Sequence, residues 1–227
     1  MNVPTFMQIV TEAFSIATAG LWALINSNLT TAFFGALAGA YGGHWIVSRT
    51  LEKRQVLEEL RSTNTAIVVT VDVCNTCMAL KRQHVRPLKD QHEKQKSALN
   101  DLIDQKNSGK VAPDTPFEYQ ADLETIEPIS LPMEILQTLI FEKISLSGRP
   151  ISLAANLTRT ANLLNGMFEQ RNKLIHNYAN SNGMPAAIYF GLREKDRIDE
   201  RYPSAIRGIS QYTDDCIYFS HLLYLDL

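Results

Sequence analysis

Before Arg49 the chain contains no lysine and no arginine, and Glu12 is its only acidic side chain. With no early basic residues and an apolar run that starts late, a cleaved signal peptide is not expected. Cysteine is scarce as well: Cys74, Cys77 and Cys216 are too few for a disulfide framework in 227 residues. Cys74-Asn75-Thr76-Cys77 has the spacing of a redox or metal-binding pair. No second pair lies nearby and Cys216 is remote in sequence, so the three are expected to be small buried side chains in a cytoplasmic protein. The net charge of only −2, with a pI near 6.2, argues against a surface built to coat nucleic acid, but leaves room for a local phosphate site. There is no internal repeat, low-complexity tract, glycine-rich phosphate loop or nucleophile elbow. No cofactor and no metal site is expected.

What is present is apolar and helical in pattern. Hydrophobic residues make up 45% of the chain and charged residues 20%, enough for one good-sized domain and an accessory segment. From Leu29 to Val47 there are 19 residues without Asp, Glu, Lys or Arg. As a helix they would span about 28 Å, close to the hydrocarbon thickness of a bilayer. Gly35, Gly39 and Gly43 recur every four residues on one face of this helix, beside Ala32, Ala36 and Ala40. In water each glycine would cost a helix about 1 kcal/mol against alanine, whereas in lipid small residues let two helices approach closely. The alternatives are a buried core helix or an oligomeric contact in water. Tyr41, His44 and Trp45 suit an interface, and Arg49, Lys53 and Arg54 follow at once. By the positive-inside tendency the remainder is expected on the cytoplasmic side of the inner (cytoplasmic) membrane. Thr5 to Ile25 is amphipathic, either lying along the interface or pairing with the next helix across Asn26-Ser27-Asn28. The domain reading is therefore membrane-associated helices over 1–49 and a cytoplasmic helical bundle over 50–227.

The bundle reads as all-α. Val56, Leu60, Ile67, Val71, Cys74 and Met78 form a stripe at helical steps, so the β-branched run Ala66 to Val71 is expected to be helix despite its strand propensity. Lys81 to Lys96 is a basic run, predicted to bend at Pro87. Its bland reading is a solvated helical face. Its functional reading is an RNA backbone rail using Lys81, Arg82 and Arg86, with His84 as an accessory group. Lys106 to Leu131, with its prolines and acids, reads as a loop and a poor RNA surface. Pro132 suits the first turn of a helix over Met133 to Leu146. Gly183 to Pro203 is irregular, its mixed-charge run Arg193 to Arg197 predicted as an exposed loop or short helix, and Pro203 opens a last helix.

Between Gly148-Arg149-Pro150 and the Asn180-Ser181-Asn182-Gly183 cluster lies a long helix whose apolar stripe is Leu157, Leu164, Phe168, Ile175 and Tyr178. Arg171 falls into that stripe. A guanidinium on an apolar face needs a partner or a polar cavity. Asn172 lies one turn before His176, at a spacing that lets its amide orient the imidazole.

Arg171-Asn172-Lys173-Leu174-Ile175-His176, late in a long helix of a helical domain, resembles the motif of the HEPN superfamily: Arg, then four to six residues of which the first is often Asn, then His. The resemblance is at fold level for the soluble part and rests on six residues at motif level. It implies a helical bundle that dimerises to join two motifs in one cleft, and metal-independent endoribonuclease activity. Arg171 would then hold phosphate, His176 would act as acid or base with Asn172 positioning it, and Lys173 would contribute weakly to RNA binding. The residue types suit cleavage by the 2′-hydroxyl, since histidine titrates near neutrality and arginine offers a permanent fork to phosphate oxygens. Family members in toxin and antiviral systems suggest growth arrest or phage defence.

Two other functions fit the same chain: a non-catalytic membrane adaptor whose bundle binds a partner or nucleotide, and an oligomeric effector whose N-terminal helices perturb the membrane. The structural alternative for the motif is a buried Arg171 paired with a carboxylate, Asp214 or Asp215 being candidates, and a His176 that caps the last helical turn. Expected partners are RNA, membrane lipid, a second copy of the chain and an unidentified regulatory protein.

Overall fold

The computed structural model describes residues 6–25, 28–178, 184–194 and 197–227. Asn26, Ser27 and the cap cluster Asn180 to Gly183 lie outside the described residues, as do Thr5, Lys195 and Asp196. The chain is all-α apart from one tiny hairpin. Its helices are α1 (Phe6–Ile25), α2 (Asn28–Leu80), α3 (Arg86–Asn107), α4 (Met133–Thr138), α5 (Arg149–Tyr178), α6 (Ala186–Phe190) and α7 (Arg201–Asp226).

The chain forms two compact units, Met1–Glu58 and Glu59–Leu227, the division falling within α2. In the first, Phe14, Trp22, Phe33, Phe34 and Trp45 are all exposed, as large apolar side chains seldom are in water. A Cβ built on Gly35, Gly39 or Gly43 meets nothing within 4 Å, so this face is open. Arg49 lies over the Trp45 ring at 4.5 Å. By length and composition alone, one helix starting at Thr30 is apolar enough to cross a membrane.

In the second unit α5 and α7 pack along most of their length and the other elements gather around them. Helical periodicity explains the core directly: Leu157, Leu164, Phe168 and Ile175 of α5 are buried, and Ile209, Cys216 and Leu223 of α7 recur at seven-residue steps. Ala66, Val73 and Cys77 bring α2 into the same cluster, so the buried face of α2 is not the predicted stripe: Val56, Leu60, Val71 and Met78 are exposed, and the inward face lies about one residue round the helix, where Thr70 is also buried. The β-branched run Ala66 to Val71 is helical, because burial on a helix overrides its local strand preference.

Where a bend is predicted at Pro87, a π-helical turn occupies Lys81–Val85, and the Arg86 N–H donates to Lys81 O five residues back. The wider turn accommodates a proline that has no N–H to give. The helix predicted over Met133 to Leu146 ends sooner, in a second π-helical turn over Leu139–Lys143. Gly148 then takes φ +74°, a conformation that L side chains rarely adopt, immediately before α5. The run Arg193 to Arg197 is neither loop nor helix throughout. Arg193–Glu194 (β1) and Arg197–Ile198 (β2) pair antiparallel, with Arg193 opposite Ile198. Charge alternation marked the run as exposed but carried no information on its backbone pairing.

Candidate functional site

Between α3 and α4, residues 108–132 contain no helix and no strand. A connection this long inside a compact unit needs another source of order. Its order comes from side chains that hydrogen-bond its main chain. No main-chain-to-main-chain hydrogen bond falls between residues 116 and 130 among the described residues. We call residues 117–131 the strap.

α5 is the strap's main support. The Ile126 N–H donates to Asn172 Oδ1 at 3.2 Å, and Asn172 Nδ2 donates back to Ile126 O at 2.7 Å. Asn165 repeats this with Ile129, at 2.9 Å and 3.0 Å. Each carboxamide therefore pairs with the main chain as a neighbouring strand would. The spacing is consistent with helix and strand geometry: seven residues of α-helix rise about 10.5 Å, and three residues of extended chain cover about 10 Å.

Arg171 continues the same contact. Its Nη1 donates to Glu124 O at 2.6 Å and its Nη2 to Asp122 O at 3.0 Å. The Tyr202 hydroxyl also donates to Asp122 O, at 2.7 Å, and the Tyr202 ring lies 5.8 Å from the guanidinium carbon. Burial pushes the Tyr202 phenol up to about 12, only partly offset by Arg171, so it remains a neutral donor. The nearest carboxylate oxygen, Asp122 Oδ1, is 3.5 Å from Nη2. Arg171 is 0% exposed, and its Nε has no partner.

The motif is thus divided. Arg171 and Asn172 are committed to the strap, and both ends of the Asn172 amide are engaged with Ile126, so it does not orient His176. His176 and Lys173 are exposed near the end of α5. The carboxylate beside Arg171 belongs to Asp122 of the strap, not to Asp214 or Asp215, and what α7 brings to the guanidinium is the Tyr202 ring from its first turn. Asp214 instead pairs with Lys81 at 2.7 Å. Lys81 and Arg86 line a separate cavity of about 260 Å³ with Asp214 and Asp90, and Arg86 pairs with Asp90 at 3.5 Å. Arg82 and His84 are exposed. Gly35, Gly39 and Gly43 lie in the other unit.

Cys216, remote in sequence, packs against Cys77. The hydrogen bond between the two, together with burial, holds the Cys216 thiol above its ordinary range. All three cysteines are free, and no group of three or more metal-ligating side chains is found among the described residues.

His92 is a further buried polar residue that the sequence reading passed over. It is 5% exposed, its Nε2 lies 2.9 Å from Tyr189 O, and the rings of Tyr189, Phe190 and Tyr202 surround it. Burial, more than the nearby Lys96 and Arg207 charges, holds its imidazole below the usual range, against the pull of the Tyr189 carbonyl and Glu93. The neutral ring therefore donates from Nε2. A base with a depressed folded pKa takes up its proton first in the unfolded chain, so stability should be full above about pH 6.5 and fall below it. Urea denaturation between pH 7.5 and 5 should show this loss, and His92→Gln should flatten it.

No family model matches this chain, and neither do any of the characterised proteins or solved structures with which it was compared.

Proposed function

We propose that this chain is a membrane-tethered, non-catalytic helical adaptor in which Arg171 and Asn172 serve as a clamp for the strap. The observation that carries this reading is the complete burial of Arg171, with its guanidinium donating to two strap carbonyls. A phosphate cannot reach a cation enclosed in this way while the strap is in place. The tether rests on the apolar stretch of α2 and on the exposed apolar side chains of the first unit.

One observation favours a second reading, RNA cleavage by Arg171 and His176. A fully buried guanidinium whose Nε has no hydrogen-bond partner and whose one carboxylate neighbour, Asp122, stands at 3.5 Å is the kind of buried charge that functional sites hold. In that reading the strap leaves, two chains join their motifs, and the toxin or defence role suggested by the HEPN resemblance applies.

The test is incubation of labelled RNA with the full chain in detergent and excess EDTA, beside His176→Ala. The adaptor reading expects no cleavage and equal stability for the two proteins. Cleavage that leaves 2′,3′-cyclic phosphate ends and is lost in His176→Ala would overturn it in favour of the nuclease. Resistance of the membrane-bound chain to alkaline carbonate extraction tests the tether, and release into the supernatant would refute it.

A further inference from the structure

The side chains that grip the strap leave buried polar groups unmatched. Four buried side-chain atoms lack a hydrogen-bond partner among the described residues, and two of them, Arg171 Nε and Gln95 Oε1, belong to side chains that bond the strap. The Tyr189 hydroxyl lies beside the Asp122 main chain. Gln95 gives its Nε2 to Gln120 O at 2.8 Å and leaves its oxygen idle. Elsewhere nearly every buried polar group in a folded protein finds a partner, so orphans gathered on one surface mark an imperfect fit. The grip is also generic. The Asn165 and Asn172 carboxamides and the Arg171 guanidinium all bond main-chain atoms, which any extended segment offers. Over 116–130 the strap has no main-chain ladder of its own among the described residues, so side chains alone hold it in place.

We propose that the α5 face carrying Asn165, Arg171 and Asn172 is a receptor for an extended acidic segment of a partner protein, and that the strap is the place-holder that fills it in the isolated chain. The inference rests on the adaptor reading and names its partner's chemistry. Recognition is by backbone pairing, as when a peptide adds to a sheet edge. The strap itself shows the pattern required: a carboxylate residue at 122, main-chain pairing at 126 and again at 129. Charge complementarity sets the sign of the partner, because the enclosed group is a cation that the strap meets with the Asp122 carboxylate. Being tethered at both ends, the strap competes at an effective concentration of about millimolar, so a partner must fit better than the strap or meet it loosened.

The probe is a fluorescein-labelled peptide of residues 117–131, titrated into the full chain in detergent and read by anisotropy. In the chain, Ile126→Pro removes the N–H that Asn172 accepts and should loosen the strap. This variant is expected to bind the peptide at least tenfold more tightly than the unsubstituted chain. A peptide carrying the same Ile126→Pro change should bind at least tenfold more weakly. Absence of binding to either chain, with helicity retained, would overturn the proposal. In case the variant fails to fold, amide hydrogen exchange in the unsubstituted chain provides a second test. Excess peptide should speed exchange at Ile126 and Ile129 but not at Leu157, and strap rates that the peptide leaves unchanged would refute displacement. An RNA oligonucleotide that frees the same amides while the peptide does not would also overturn it, in favour of a nucleic-acid ligand. The two failures are separable: RNA cleavage dependent on His176 removes the adaptor reading whatever the peptide does, whereas a failed peptide titration without cleavage removes only this surface.

Discussion

Arg171→Met should destabilise the folded chain by about 2 to 4 kcal/mol, since it takes donors from two main-chain carbonyls, each costing about 1 to 3 kcal/mol when left unsatisfied. The Glu124 carbonyl loses its 2.6 Å donor, and Asp122 O loses one of two. The guanidinium that makes these bonds is fully enclosed, so methionine leaves an apolar end where two donors stood. Methionine retains most of the stem's packing, which assigns the loss to the guanidinium. Arg171→Lys should recover only part of it, since an ammonium has one centre where the guanidinium reaches two carbonyls. His176→Ala, at an exposed site, should change stability by no more than about 0.5 kcal/mol. Urea denaturation of the full chain in detergent, followed by circular dichroism, measures all three. Equal midpoints for Arg171→Met and the unsubstituted chain would sink the clamp.

The second large effect belongs to Asn172. Asn172→Leu keeps the volume but strands both the N–H and the C=O of Ile126, and the expected loss is about 2 to 4 kcal/mol. Asn172→Asp should be comparably damaging: it retains an acceptor but offers no donor and sets a carboxylate oxygen against Ile126 O, 2.7 Å from the present Nδ2. The local signature is specific. Amide exchange at Ile126 should accelerate more than at Ile129, which Asn165 still holds. Adding Asn165→Ala should give less than the sum of the two losses, because a strap already released at one clamp has less to lose at the other. Uniform acceleration across the strap and the core would show instead that Asn172 acts on the whole unit.

Parts of this site were legible in advance. The α5 stripe predicted that Arg171 faces inward, since a 3.6-residue period reports burial whatever a side chain's charge. Asn165 and Asn172 fall seven apart on a neighbouring face, a polar pair that could have been noticed. The strap left a trace too: Phe117, Tyr119, Ala121 and Leu123 alternate with polar residues and are all half-buried, as in an extended chain with one side inward. Prolines and acids drew attention away from that alternation. His92 shares a helical stripe with Leu88 and Leu99, yet a histidine within a basic run reads as solvated until its neighbours are known.

The sequence by itself determined the all-α class, the inward face of α5 and the apolar character of residues 29–47, because periodicity and composition are local properties of the chain, but it gave no sign of the short helix α6. Only the tertiary structure decided what meets Arg171. Asp122 and Glu124 lie 49 and 47 residues away, and they bind it chiefly through carbonyl groups that every residue possesses. The same holds for Cys77 against Cys216 and for His92 beneath Tyr189. A contact made to backbone, or between segments joined by an irregular loop, leaves no period and no spacing to read, and it exists only once packing has placed the two segments together.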